Sequence, residues 1–139
     1  MIVLDTNVVS ALMRPALHGV VVSWLNTKPA DSIWITAIGI LESRSGILRL
    51  PEGRRKHEMA AAFDTILKDI ILGRVLAFDT AAAEAAAVIA TRRITAGLNI
   101  DTLDTQIAGI CVSRGATLAT RNIKDFEDLD IPLTNPWSD

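Results

Sequence analysis

One cysteine, Cys111, occurs in the 139 residues. No disulfide can form within the chain, and with only two scattered histidines beside it no zinc site is visible. No charged n-region and apolar h-region open the sequence, and no run approaches the ~20 apolar residues of a membrane span. The longest apolar-looking stretch, Ile33 to Leu41, is too short and broken in type. These absences lead to the expectation of a soluble, cytoplasmic protein without membrane contact. A surplus of positive charge is missing too, since 14 basic residues face 16 acidic ones for a net charge of −2. A domain that grips nucleic acid through bulk charge is clearly basic. Any nucleic-acid contact must therefore be local, or be mediated by metal ions held on acidic groups. Neither a G-x-S-x-G elbow nor a P-loop is present, which argues against a serine hydrolase or an NTPase.

What the chain does have is apolar content and rhythm. Half its residues are apolar, enough for a core without disulfides or structural metal, and the length fits one domain over 1–139. Short β-branched runs alternate with helical patterns. Strands are expected at Met1–Leu4, Ser32–Thr36, Arg74–Phe78 and Ala116–Ala119, with a short edge strand near Ile131–Leu133. Helices are expected at Val8–Met13, Gly19–Leu25, Ala37–Leu50, Arg54–Leu72, Ala81–Ala96 and from Asp101 through Ser113. This alternation predicts an α/β fold, a Rossmann-like parallel sheet of four to five strands covered by helices on both faces. The Ala37–Leu50 helix carries Ile38, Ile40, Leu41, Ile47 and Leu48 around most of its surface and is expected to be largely buried. Two basic clusters, Arg54-Arg55-Lys56 and Arg92-Arg93, read most simply as solvated faces, the first also as a possible RNA-backbone contact.

In open α/β sheets the working crevice lies beyond the carboxyl ends of the strands. The first strand ends there in Asp5, followed by Thr6 and Asn7, and Asp5 or Thr6 could serve simply as the cap of the helix starting near Val8. Thr36 and Thr120-Arg121-Asn122 end two further strands. Glu42 lies early in the helix after Thr36, and could serve as a site acid, reach the rim, or pair with Arg44 or Arg49. Gly46, one turn on, would allow close approach of a backbone or a substrate. Asp101 suits the N-cap of its helix and Asp104 its third position, near the positive end of the helix dipole. Asp5, Glu42 and Asp104 thus come from distant segments to one sheet edge. Two carboxylates about 5 Å apart repel by roughly 3 kcal/mol at an effective dielectric near 20, so a cluster of them takes up protons or a cation. Hard oxygen donors favour Mg²⁺ or Mn²⁺, and an acid-lined Mg²⁺ crevice suits phosphodiester chemistry.

The segments Val3-Leu4-Asp5-Thr6-Asn7, Thr36-Ala37-Ile38 with Glu42-Ser43-Arg44-Ser45-Gly46, and Asp104-Thr105-Gln106-Ile107-Ala108 resemble PIN-domain ribonuclease toxins of the VapC type. Leu118 to Asn122 with Asp125-Phe126, and Asn135-Pro136-Trp137, extend the resemblance over the whole chain. It implies a PIN fold, a homodimer, and Mg²⁺- or Mn²⁺-dependent endonucleolytic cleavage of RNA within a type II toxin–antitoxin pair. A small antitoxin of the VapB/FitA kind would block the pocket and supply contact with operator DNA, in a hetero-oligomer that can exceed the dimer. Asp5, Glu42 and Asp104 match the family's acidic triad, with Asp5 and Asp104 as direct metal ligands and Glu42 binding directly or through water. Thr6, Asn7 and Thr120 would orient Asp5 by hydrogen bonding. Many relatives carry Asp where this chain has Asn122, so a second metal would bind more weakly unless Asp125 compensates.

Two enzyme classes and one binding class compete with this reading. A haloacid-dehalogenase-type phosphatase needs a second Asp where Asn7 stands, and a receiver domain needs paired acids near the first strand and a late lysine. A non-catalytic PIN scaffold that acts by binding a partner or RNA is favoured by Asn122 alone.

Overall fold

A computed structural model describes residues 1–99 and 101–139. Among them the strands are β1 (Ile2–Leu4), β2 (Ile33–Thr36), β3 (Val75–Leu76), β4 (Thr117–Ala119) and β5 (Leu133–Thr134). All pair in parallel, in the order β3-β2-β1-β4-β5. The helices are α1 (Thr6–Leu12), α2 (Gly19–Asn26), α3 (Ala37–Leu48), α4 (Arg54–Thr65), α5 (Thr80–Thr95) and α6 (Thr102–Arg114). The predicted class and strand number hold. β1 lies at the centre, where the strand order reverses, and this is the switch point at which such sheets open a crevice.

The central strand is apolar throughout because both of its faces are covered. Val3 enters the core built with α5 and α6, whereas Leu4 enters the one built with α1 to α4. Residues alternate across a strand, so a three-residue segment serves both cores at once. The backbone ladder continues past the strand ends. The Asp5 N–H donates to the Ala119 carbonyl at 2.9 Å, and the Thr120 N–H to the Thr134 carbonyl at 2.9 Å. Asp5 and Thr120 are therefore held by the sheet itself. On the far side α5 and α6 cross closely at Gly109, where a Cβ would stand 2.6 Å from the Ala82 carbonyl oxygen and 2.8 Å from the Ala86 Cβ. The small side chains of Ala82 and Ala86 on the buried stripe of α5 permit that approach.

Three sequence expectations need correction. The helix expected over Arg54–Leu72 is α-helical only to Thr65, and Ile66–Ile71 is a π-helical segment. Its wider turn lets both Ile66 and Ile71, five residues apart, reach the core, and it ends at Leu72 with φ 51°. The surface of α3 is less buried than expected, with Leu41 52% and Leu48 61% exposed in the single chain. Arg93 is not solvated. It is 5% exposed and bonded to the segment after β4.

Candidate active site

Asp5 is the N-cap of α1, so the capping role weighed for it is real, but its carboxylate does more than cap. Oδ1 accepts from the Thr6 N–H at 2.9 Å, and Oδ2 accepts from the Thr120 hydroxyl at 2.8 Å and from Asn7 Nδ2 at 3.4 Å. Asn7 Nδ2 also reaches Thr120 Oγ1 at 3.3 Å, while Asn7 Oδ1 accepts from the Arg121 N–H at 3.1 Å. The Asn122 N–H in turn donates to Thr120 Oγ1 at 3.1 Å. Asp5, Asn7 and the segment after β4 are thus tied together across elements, which fixes Asp5 in one rotamer. Asp5 is 4% exposed, and burial raises its pKa. Hydrogen bonds from Thr120 and Thr6 pull the other way, and the charges of Asp125 and Asp101 add to the rise.

Glu42 does not pair with either arginine near it. Arg44 bonds to Asp64 and Arg49 to the Ser45 carbonyl, whereas Glu42 Oε1 accepts from the Thr6 hydroxyl at 3.0 Å. Thr6 thus joins the two acids, backbone to Asp5 and side chain to Glu42. Burial raises the Glu42 pKa, and Asp5 and Asp101 add to it. Thr36 is spent as the α3 cap, accepting from the Gly39 N–H at 2.8 Å.

Asp104 stands at the third position of α6 behind its cap Asp101, whose Oδ1 accepts the Asp104 N–H at 2.9 Å. Its carboxyl is pushed up to about 7, first by burial and then by the charges of Asp101, Asp5, Glu42 and Asp125. A helix N-terminus should favour a carboxylate, so burial and the neighbouring acids together outweigh the dipole here. Asp125 is exposed in a short 3₁₀ turn (Ile123–Asp125) and still acts on both Asp5 and Asp104. Cys111 faces the same region from inside, but burial and the Asp5 charge push its thiol up to about 12, so it offers no thiolate nucleophile.

The carboxylates look onto two clefts. Glu42 shares one of about 500 Å³ with Thr6, Asn7, Gly46 and Trp137, and Gly46 is open there, with nothing within 4 Å of its Cβ position. Asp104 shares another of about 340 Å³ with Asp101, Asp125, Asp128 and Arg93. Among the described residues no three His, Cys, Asp or Glu side chains already form a group that would hold an ion. The donor set nevertheless suits a hard divalent cation: oxygen ligands only, mutually repelling, with an anchored carboxylate at the centre. A cation is the addition that would relieve the strain on Asp104.

Sequence reasoning missed Arg93. The signal was present, because Ala82, Ala86, Ile89 and Arg93 form one buried stripe along α5, and an arginine on that stripe must find an anion inside. The Arg54-Arg55-Lys56 cluster is partly paired, Arg54 to Glu58 and Lys56 to Glu52, while Arg55 lines the larger cleft.

A parallel sheet in this order, with acids gathered at the switch point, is the architecture of the PIN domain, and the chain belongs to that family, whose sequence pattern matches residues 2–132. It is similar to the toxin FitB of Neisseria gonorrhoeae, 33% identical over 139 residues and all of both chains. It is also 32% identical over 137 residues to the VapC ribonuclease Y4jK of Sinorhizobium fredii, covering 99% of this chain and 98% of that one. The solved structure of FitAB bound to a DNA fragment superposes with a TM-score of 0.87 at 33% identity, over 99% of this chain and 96% of that one. Among the described residues no helix is long and apolar enough to cross a membrane.

Proposed function

We propose that this chain is the toxin of a type II toxin–antitoxin pair and cleaves RNA internally with Mg²⁺ or Mn²⁺. Asp5, Glu42 and Asp104 would hold the ion. The observation that carries the reading is the anchoring of Asp5 between Thr6 and Thr120, with Glu42 held on the Thr6 hydroxyl and Asp104 near enough for its pKa, raised first by burial and then by Asp101, to feel both acids. When bound, the divalent ion supplies the positive charge that ionises water near neutrality and offsets charge on the phosphate. Thr6 and Thr120 hold Asp5 by donating to opposite oxygens of its carboxylate. Thr6 also fixes Glu42 through Oε1, and Glu42 lines the larger cleft. Asn122 offers an oxygen without charge, so Asp125 is the remaining acid for a second ion.

The names of the relatives support the setting. One is a toxin, another is a VapC ribonuclease, and a solved neighbour is a complex bound to DNA. For this chain we infer a cognate antitoxin of the VapB/FitA kind that silences the cleft and carries the operator contact. Exposed Leu41 and Leu48 on α3 favour burial against a second subunit, as in a homodimer. A non-catalytic scaffold is the reading that Asn122 favours.

Antitoxin-free protein should cleave RNA in Mg²⁺ or Mn²⁺, and EDTA or Asp5→Ala should abolish cleavage. Unchanged cleavage by Asp5→Ala overturns the assignment, and wild type that cleaves no RNA favours the scaffold. Expression alone should arrest growth, and co-expression of the antitoxin should relieve it.

A further inference from the structure

Arg93 lies in the last turn of α5, on the stripe that packs into the core, with its side chain 6% exposed. Its guanidinium donates from Nη2 to the Asp125 carbonyl at 2.6 Å and to Asp128 Oδ1 at 3.1 Å, and from Nε to Asp128 Oδ2 at 3.2 Å. This two-pronged grip suits the planar fork of arginine and not the point charge of lysine. Burying such a pair is no efficient route to stability, because apolar residues of similar volume do as well or better. What the pair does is specify geometry. It ties α5 to the 3₁₀ turn that carries Asp125, in the same cleft as Asp101 and Asp104. Among the described residues no other side chain of α5 bonds to that turn, and the Phe126 side chain beside it holds by apolar packing.

We propose that Arg93 is a positioning residue, fixing Asp125 beside Asp104 so that Asp125 supplies the negative charge that Asn122 does not. The proposal rests on the reading of the crevice as a divalent-cation site. Arg93 brings little positive charge of its own to the cleft, because Asp128 neutralises it at hydrogen-bond distance. Lys124 also lines this cleft, so with Arg93 and Asp128 offsetting each other the cation meets Asp101, Asp104 and Asp125 against one lysine.

The test is Mn²⁺ binding to the full-length, antitoxin-free chain, read as free Mn²⁺ by electron paramagnetic resonance, with thermal unfolding measured beside it. Arg93→Met and Asp125→Asn should each weaken Mn²⁺ binding by roughly tenfold, as loss of an outer supporting contact does. The double variant should bind no more weakly than either single one, because both remove the same contribution. Arg93→Lys should recover only part of the affinity. Should Arg93→Met fail to fold, Asp128→Asn loosens the same grip and should weaken binding in the same direction.

A lower unfolding temperature with unchanged Mn²⁺ affinity would show a purely structural role and overturn the proposal. So would independent, multiplying losses in the double variant. Wild type that binds no Mn²⁺, or that binds equally after Asp5→Asn, would overturn the crevice reading and this proposal with it. Binding that is lost in Asp5→Asn but untouched in Arg93→Met overturns the role of Arg93 alone.

Discussion

Replacing Asp104 by Asn should stabilise the metal-free protein at alkaline pH while removing the RNA cleavage proposed for it. The Asp104 carboxyl goes from an ordinary 3.8 to about 7 on folding. A raised folded-state pKa means that the native chain holds its proton more tightly than the unfolded chain does. The stabilisation from this group is complete below the unfolded value near 4 and is lost as pH rises through about 7. At 1.36 kcal/mol per pH unit the full shift would correspond to ~4 kcal/mol. Asp104 is only partly buried and solvent screens its neighbours, so ~1–2 kcal/mol is the expected remainder. Asn matches the shape of the neutral acid and carries no charge at any pH. Urea unfolding in EDTA should therefore show wild type and Asp104→Asn nearly equal near pH 3, below the unfolded value. At pH 8 the variant should lead by ~1–2 kcal/mol, or roughly 3–7 °C in Tm for a chain of this length. Added Mn²⁺ should then stabilise wild type and do much less for the variant. A variant no more stable than wild type at pH 8, or a gain equal at pH 3 and pH 8, would refute the idea that burial and crowded acids raise Asp104.

Two further substitutions probe the scaffold. Gly109→Ala places a Cβ 2.6 Å from the Ala82 carbonyl oxygen and 2.9 Å from the Ala86 nitrogen, backbone atoms that yield only if α5 moves. It should cost ~3 kcal/mol, about 10 °C in Tm by calorimetry, and a loss under ~1 kcal/mol would mean that the α5–α6 contact is looser than it looks. Leu72 holds φ 51° while 63% exposed, so Leu72→Gly removes strain and few contacts. A gain of ~0.5–1 kcal/mol in urea unfolding is expected, and a loss would show that the leucine side chain matters more than its backbone.

Local chemistry was the legible part of this chain. Caps at Thr36, Asp79 and Asp101 could be read from the residue types, because each bonds to a backbone N–H three residues on. β1, β2 and β4 were legible because strands buried on both faces must be apolar throughout. β3 lies inside the Arg74–Phe78 expected but keeps only Val75–Leu76, and β5 falls at Leu133–Thr134, shifted along from the Ile131–Leu133 expected, because strands of two residues are too short for a pattern to fix their bounds. The π-helical segment has no signature of its own in residue type, since it answers to where Ile66 and Ile71 must land. α3 misled for a different reason. Apolar periodicity registers a surface that avoids water, and it does not distinguish the protein's own core from a partner's.

The site shows the same limit more sharply. That β1 ends in Asp5 and α6 begins near Asp104 follows from the alternation of elements, so the convergence of acids on one edge could be reasoned out. Which acids share a cleft could not be. Glu42 meets Asp5 through the hydroxyl of Thr6, while Asp104 opens beside Asp101 and Asp125 onto a separate cleft. The difference depends on how α3 and α6 are rolled against the sheet, which is decided by packing at sites such as Gly109 rather than by the acids themselves. Arg93 completes the point. Its partners lie 32 and 35 residues away, so residue type alone marks it as solvated, and only its place on the Ala82–Ala86–Ile89 stripe shows that it must face inward. A chain selected for stability alone would fill that stripe with an apolar residue and spread its acids apart. This one does neither, which is the expected signature of residues retained for what they hold in place.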